Sequence, residues 1–261
     1  MKNKFKYKIQ GSLLVLLLMT LAAFQLQKKP VLYIIGDSTV RNEDSLGHRG
    51  WGSHIVKYLD TNKIGVSNQA MAGRSTRTFI KEGRWDKVLS TLKSGDYVMM
   101  QFGHNEGSKP DTSRRGYRGV LRGIGEDSVV LTWPNNSIEV VHSYGWYIRK
   151  FIRDAKAKGA TPIVLSMIPR NEFRDGKVLR ADKDYGLWAK QVADEEGVPF
   201  IDLNAITADK YDKLGPDETK KFFPGDHTHT NPAGADINAQ SVVEGLRMQK
   251  NITLNKYLLQ Q

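Results

Sequence analysis

Five short apolar runs, separated by stretches of helical periodicity, constrain the fold of this 261-residue chain more than any other feature. The runs span residues 31–35, 64–68, 97–102, 162–167 and 198–201, and the helical patterns span 51–59, 85–92, 144–158, 185–196 and 232–247. Runs that are apolar throughout, rather than at alternate positions, require cover on both faces. Strands of that kind, separated by helices, form a parallel sheet between helical layers. Lys156, Lys158 and Gly159 supply a stop signal for one helix, and Asn231-Pro232 supplies a cap and first turn for another. One segment departs from the rhythm: 129–133 and 138–141 flank Pro134-Asn135-Asn136-Ser137 and predict a β-hairpin inserted around 129–141. The sequence therefore predicts a single α/β domain over residues 30–250, followed by a C-terminal tail at 251–261.

The first residues do not belong to that domain. Lys2, Lys4, Lys6 and Lys8 precede an apolar stretch over residues 13–24 that includes the small residues Ala22 and Ala23. This is the layout of a secretory signal peptide, expected over residues 1–23, with an uncleaved anchor as the alternative. The apolar stretch is short of the roughly 20 residues a spanning helix needs. We therefore expect a secreted or periplasmic protein with no stable membrane insertion after cleavage, and a monomer. There is no cysteine, so no disulfide supports the fold. The net charge is +11, and the four lysines of residues 1–23, with no acid among them, leave +7 on the exported chain. Such a surplus suits either an ordinary solvated surface or a polyanionic partner. No basic stripe interleaved with aromatics points to nucleic acid, and none is expected as a partner.

Three polar segments follow strand-like runs or stand near the end of the chain. Gly36-Asp37-Ser38-Thr39 follows the first run, Gly103-His104-Asn105-Glu106 follows the third, and Asp226-His227-Thr228-His229 precedes the last helix. In an open parallel sheet, ligands bind beyond the carboxyl ends of the strands, so these segments can share one rim. Ser38 alone reads as well as a helix cap as a nucleophile. A serine becomes a nucleophile when a base takes its proton, and Asp226 and His229, three residues apart, can supply an orienter and that base. The same Asp226, His227 and His229 are acceptable zinc ligands, which leaves a metal site as a second reading. Gly73 and Asn105 are candidate donors to a developing oxyanion, or else a turn glycine and a loop-capping asparagine.

Taken together, these blocks resemble those of the GDSL/SGNH hydrolases. Residues 35–40 (IGDSTV), 68–75 (NQAMAGRS), 101–106 (QFGHNE) and 223–235 (FPGDHTHTNPAGA) are most similar to the rhamnogalacturonan acetylesterase group, and the likeness spans residues 31–248. It implies a flavodoxin-like three-layer α/β/α sandwich and a serine esterase needing no metal or other cofactor. Ser38 would be the nucleophile, His229 the base and Asp226 its partner. The oxyanion hole would comprise the Ser38 and Gly73 backbone N–H groups and the Asn105 side chain. Glu106 departs from the aspartate usual after His-Asn in that group. The implied activity is deacetylation of a pectic polysaccharide, most simply rhamnogalacturonan, with another acylated glycan such as acetylated xylan or cell-wall polymer as the alternative. A non-catalytic carbohydrate-binding relative would be expected to lack one of the three triad residues. Arg74, Arg77, His104, Glu106, Arg170 and His227 are expected to line the cleft and meet an acidic polysaccharide.

Overall fold

The structure, a computed structural model, describes residues 29–41 and 46–260. The expected signal segment lies outside the described residues. Five strands form one parallel sheet: β1 (Val31–Gly36), β2 (Gly65–Asn68), β3 (Tyr97–Gln101), β6 (Thr161–Leu165) and β9 (Phe200–Ile201). Their order across the sheet is β2-β1-β3-β6-β9. The chain leaves β1 in one direction to make β2, then returns past β1 to make β3. This reversal opens a crevice at the carboxyl ends of β1 and β3, the place where doubly wound sheets hold their ligands.

The sandwich follows from the side chains. Successive strand residues point to opposite faces. Tyr33 and Ile35 of β1, with Val98 and Met100 of β3, join a core containing Phe79, Trp85, Val88, Phe151 and Val192. Leu32, Ile34 and Met99 join a second core with Trp51, Ile55, Leu203, Val242 and Leu246. The helices Thr76–Lys81, Arg84–Thr91, Tyr144–Ala157 and Tyr185–Glu195 thus cover one face. The short helices Trp51–His54 and Ile55–Tyr58 cover the other, with Leu203–Lys220 and Pro232–Met248. The expected three-layer α/β/α arrangement is the one observed.

The differences from expectation are local. The predicted helix over 51–59 is one α-turn followed by a 3₁₀ turn. The six-residue helix Thr76–Lys81 was not expected; Ser75 and Thr78 form a reciprocal cap at its start. Nor was the helical stretch Leu203–Lys220, whose Gly215-Pro216 reads as a break. Gly215 does adopt a left-handed conformation (φ 79°), and two helices abut there. A two-residue hairpin, β7 (Phe173–Arg174) and β8 (Lys177–Val178), is a further addition. The inserted hairpin is present as β4 (Ser128–Thr132) and β5 (Ile138–His142). The residues expected as a tail pack on the domain: Ile252 and Leu254 are buried in the second core, and Tyr97 Oη lies 2.8 Å from Thr253 Oγ1. Among the described residues no helix is long and apolar enough to cross a membrane.

Candidate active site

The turn after β1 is fixed before any chemistry is considered. Gly36 must be glycine, because a Cβ there would sit 2.6 Å from the Gln101 carbonyl oxygen and 2.7 Å from Val40 Cγ2. Asp37 is fully buried, and its Oδ1 accepts from the Thr39 backbone N–H (2.8 Å) and hydroxyl (2.7 Å). The Thr39 hydroxyl accepts in turn from Gln101 Nε2 (2.7 Å), whose Oε1 accepts from Trp51 Nε1 (2.8 Å). This buried, largely satisfied network holds the turn rigidly, as low-dielectric networks do. Ser38 rides on it, partly exposed. The helix that follows is capped by Gly50, so Ser38 is not serving as a helix cap.

The loop before the helix Pro232–Met248 supplies the other half. Thr230 pairs with Arg49 in both directions: its carbonyl accepts from the Arg49 N–H (2.9 Å), and its hydroxyl donates to the Arg49 carbonyl (3.0 Å). Asn231 caps the helix. Within this frame His229 Nε2 lies 2.8 Å from Ser38 Oγ, and His229 Nδ1 lies 2.7 Å from Asp226 Oδ2. Asp226 Oδ1 accepts from the backbone N–H groups of Thr228 (2.6 Å) and His229 (2.8 Å). Partial burial alone would raise the Asp226 pKa, but these hydrogen bonds, led by the one from His229, hold it down at about 2. The carboxylate therefore stays charged through mild acid. The His48 ring stacks on His229, with centroids 5.0 Å apart and planes 26° apart.

The loops after β2 and β3 meet beside this constellation. Gly73 is left-handed (φ 72°), a conformation that favours glycine. Asn105 Nδ2 donates to the Arg74 carbonyl (3.1 Å), tying the two loops together across the sheet edge rather than capping its own loop. Asn105 Oδ1 accepts from Arg118 Nη1 (2.8 Å). The amide nitrogen keeps one N–H beyond these contacts, a donor available to an oxyanion.

Two of the expected cleft residues lie elsewhere. Glu106 is fully buried and cannot meet a polysaccharide; its Oε1 accepts from the Thr76 N–H (2.8 Å) and its Oε2 from the Asn105 N–H (2.9 Å). It clamps the start of the helix Thr76–Lys81 to the Asn105 loop. Burial pushes its pKa up to about 8, against the pull of those N–H groups. Arg77 is likewise no surface cation: it is 1% exposed. Its Nε and Nη2 each donate to Glu139 at 2.8 Å, and Nη1 donates to the carbonyls of Gly116 (2.8 Å) and Gly119 (3.0 Å). This pair fastens the inserted hairpin and the 116–119 segment to the sandwich. Breaking one partner of a buried pair strands the other. Arg77→Ala should therefore cost about 3 kcal/mol of stability in urea unfolding, less than a full pair because Lys81 and Trp133 also donate to Glu139. A loss below about 1 kcal/mol would show that the guanidinium is dispensable to the fold.

The others stand at the rim. Arg74 is half-buried, donating to Glu82 (2.9 Å) and the Ala72 carbonyl (2.9 Å). His227 is exposed, with Nδ1 3.1 Å from Glu172 Oε1 and Nε2 3.4 Å from Arg170 Nη1. His104 is partly exposed, but both ring nitrogens are buried without a hydrogen-bond partner among the described residues. Burial holds its pKa down at about 4, so the ring is neutral at pH 7. It lines a cleft of about 300 Å³ with Met167, Arg170 and Tyr185. The metal reading fits poorly: Asp226 and His229 are spent on each other and on Ser38, while His227 turns to Glu172 and Arg170. Among the described residues no group of three His, Asp or Glu is arranged to hold an ion.

Sequence reasoning did not find Gln101, Trp51, His48 or Arg118. A glutamine inside the otherwise apolar run at 97–102 was the one available signal, and it pointed to Gln101 alone. Arg118 closes a short 3₁₀ turn, Gly116–Arg118, 13 residues beyond Asn105, and nothing in its local pattern distinguishes it from a surface arginine.

Residues 34–237 match the model of the GDSL-like lipase/acylhydrolase family. A rhamnogalacturonan acetylesterase of Emericella nidulans is 31% identical over 227 residues, covering 87% of this chain and 88% of that protein. A probable rhamnogalacturonan acetylesterase of Bacillus subtilis, YesY, is 30% identical over 222 residues, 83% of this chain and 92% of the other. Among solved structures, protein YxiM of Bacillus subtilis superposes with a TM-score of 0.69 at 27% identity, over 86% of this chain and 58% of that one. Axe2, an acetylxylan esterase from Geobacillus stearothermophilus, superposes with a TM-score of 0.56 at 18% identity, over 83% of this chain and 94% of that one, a likeness of fold.

Proposed function

The chain belongs to the GDSL-like lipase/acylhydrolase family, and on that footing we propose that it is an exported esterase that removes acetyl groups from an acidic pectic polysaccharide, most simply rhamnogalacturonan. The observation that carries the chemistry is the unbroken line from Asp226 through His229 to Ser38, with contacts of 2.7 and 2.8 Å. That is hydrogen-bonding reach for a base acting on a nucleophile, with a third group orienting the base.

The reaction then runs in two halves. Ser38 Oγ bonds to the acetyl carbon as its proton passes to His229 Nε2. The carbonyl oxygen becomes an oxyanion, met by the Ser38 and Gly73 N–H groups and the free Asn105 amide N–H. His229 returns the proton to the sugar oxygen as the ester bond breaks, leaving acetyl-Ser38. A water then attacks that acyl group, giving its proton to His229. Acetate leaves as Ser38 takes the proton back. Asp226 keeps the Nδ1–H of His229 in place and offsets the imidazolium charge throughout.

The choice of an acidic polymer is supported by the names of the two aligned relatives and by the +7 charge outside residues 1–23. Export is supported by the basic start and the apolar stretch that follows it. The test is acetate release from acetylated rhamnogalacturonan and from acetylated xylan. Rhamnogalacturonan should be deacetylated faster at low salt. Added salt should narrow the gap, since long-range attraction is screened over about 10 Å at 0.1 M. Equal rates at low salt would sink the pectic assignment and leave the esterase standing.

A further inference from the structure

Next to the oxyanion residues lies a cleft of about 500 Å³ whose walls include Gly73, Arg74, Arg114, Arg115, Tyr117 and Arg118. Its one carboxylate, Glu82, is already shared between Arg74 (2.9 Å) and Arg84 (2.8 Å). Arg114 and Arg115 are exposed, and neither guanidinium makes a hydrogen bond or ion pair among the described residues. Arg118 uses Nη1 on Asn105 Oδ1 at 2.8 Å. Four guanidiniums therefore face one neutralised acid, and most of their donors point at nothing the protein supplies.

We propose that this cleft is a subsite for the carboxylate of a uronate residue in the polymer, flanking the acetylated sugar, and that Arg118 couples it to the oxyanion amide. The proposal rests on the esterase reading above. A guanidinium offers N–H donors and no acceptor, so a neutral sugar, whose hydroxyls must also donate, matches this wall poorly. A carboxylate has only acceptors at neutral pH and fits the planar fork with two parallel bonds. Stacked bases are ill served here. Lys81 Nζ sits 3.5 Å over the Trp133 ring, and Tyr117 meets that ring edge-on at 5.7 Å.

Arg118 gives the subsite a second consequence. Its guanidinium holds the Asn105 side-chain oxygen, which leaves the amide nitrogen as the group available to the reaction. A uronate seated on the remaining donors of Arg118 would fix that guanidinium, and with it Asn105. Arg118 is thus a positioning residue, whereas Arg114 and Arg115 act on binding alone.

The experiment measures binding without turnover. The Ser38→Ala protein is titrated with a non-acetylated rhamnogalacturonan oligosaccharide and with its carboxyl-reduced form, which keeps the backbone and removes the charges. The acidic oligosaccharide should bind at least tenfold more tightly. In an Arg114→Gln/Arg115→Gln background that ratio should fall about tenfold, since two exposed ion pairs, each weak by itself, are removed together. Lys213→Gln, on the exposed face of a distant helix, should leave the ratio alone. With Ser38 restored, Arg114→Gln/Arg115→Gln should raise KM for the acetylated acidic substrate, and Arg118→Lys should lower kcat. Equal binding of the acidic and reduced forms, or an unchanged ratio in the double variant, overturns the subsite. Tighter binding of a single-stranded oligonucleotide than of the acidic oligosaccharide overturns it too. Failure of the esterase reading shows elsewhere: the unsubstituted protein would release acetate from no acetyl ester.

Discussion

Replacing Ser38 by alanine is expected to lower acetyl-ester turnover by a factor on the order of 10⁴ or more while the protein stays folded. The size follows from what is removed. Without Oγ no acyl-enzyme can form, and His229 has no nucleophile at 2.8 Å to activate. What remains is the oxyanion donors acting on a water-borne attack, which retains part of the acceleration and no more. Folding should be unaffected, because the turn is held by Asp37, Thr39, Gln101 and Trp51 and not by the serine hydroxyl. Circular dichroism and the urea midpoint check that half, and acetate release checks the other. A serine-reactive phosphonate should label Ser38 in the parent. Labelling at another serine, or an alanine variant within tenfold of the parent, would remove Ser38 from the nucleophile's role.

The sheet was legible in the sequence because burial on both faces leaves a simple trace. Leu32 through Ile35 can all be apolar only where neither face meets water, and β1 is fully buried after its first residue. The helix Thr76–Lys81 left no such trace. Its six residues are too few to show a period, and what holds it is the Ser75–Thr78 cap and a bond from its first N–H to Glu106, thirty residues away. Arg77 was misjudged for a related reason. Charge predicts exposure until a partner is found, and Glu139 lies 62 positions further on in the inserted hairpin. Glu106 drew notice as an unusual residue beside Asn105, yet only the fold shows that it points inward and clamps two backbone segments. The contact between Asp226 and His229 could be anticipated because the two are close in sequence. That Arg118 holds Asn105 could not, since the contact joins a three-residue 3₁₀ turn to a loop, and neither leaves a periodic trace.

Asp226→Asn separates the roles of that carboxylate. In the parent, Oδ1 accepts two backbone N–H groups and Oδ2 accepts the Nδ1–H of His229. An asparagine can serve one side only. If its oxygen stays on the Thr228 and His229 N–H groups, its NH₂ donates to Nδ1, and the ring proton must move to Nε2. That places an N–H against Ser38 Oγ, and the ring can no longer take the serine proton. If the amide flips to keep Nδ1–H satisfied, its NH₂ faces two backbone donors, which repels and leaves both N–H groups without their acceptor. The first arrangement is the cheaper, so kcat should fall by roughly 10³–10⁴ with little loss of stability. Asp226→Ala forces neither tautomer but frees both backbone N–H groups. It should therefore lose more stability than the asparagine variant and no more activity. The acid limb supplies an independent check. The Asp226 pKa is lowered to about 2 from its ordinary value near 4, so its share of stability is complete above pH 4 and lost only as pH falls through about 2. Both variants should lose that part of the acid dependence. An asparagine variant within tenfold of the parent in kcat would show that His229 finds its working tautomer without Asp226.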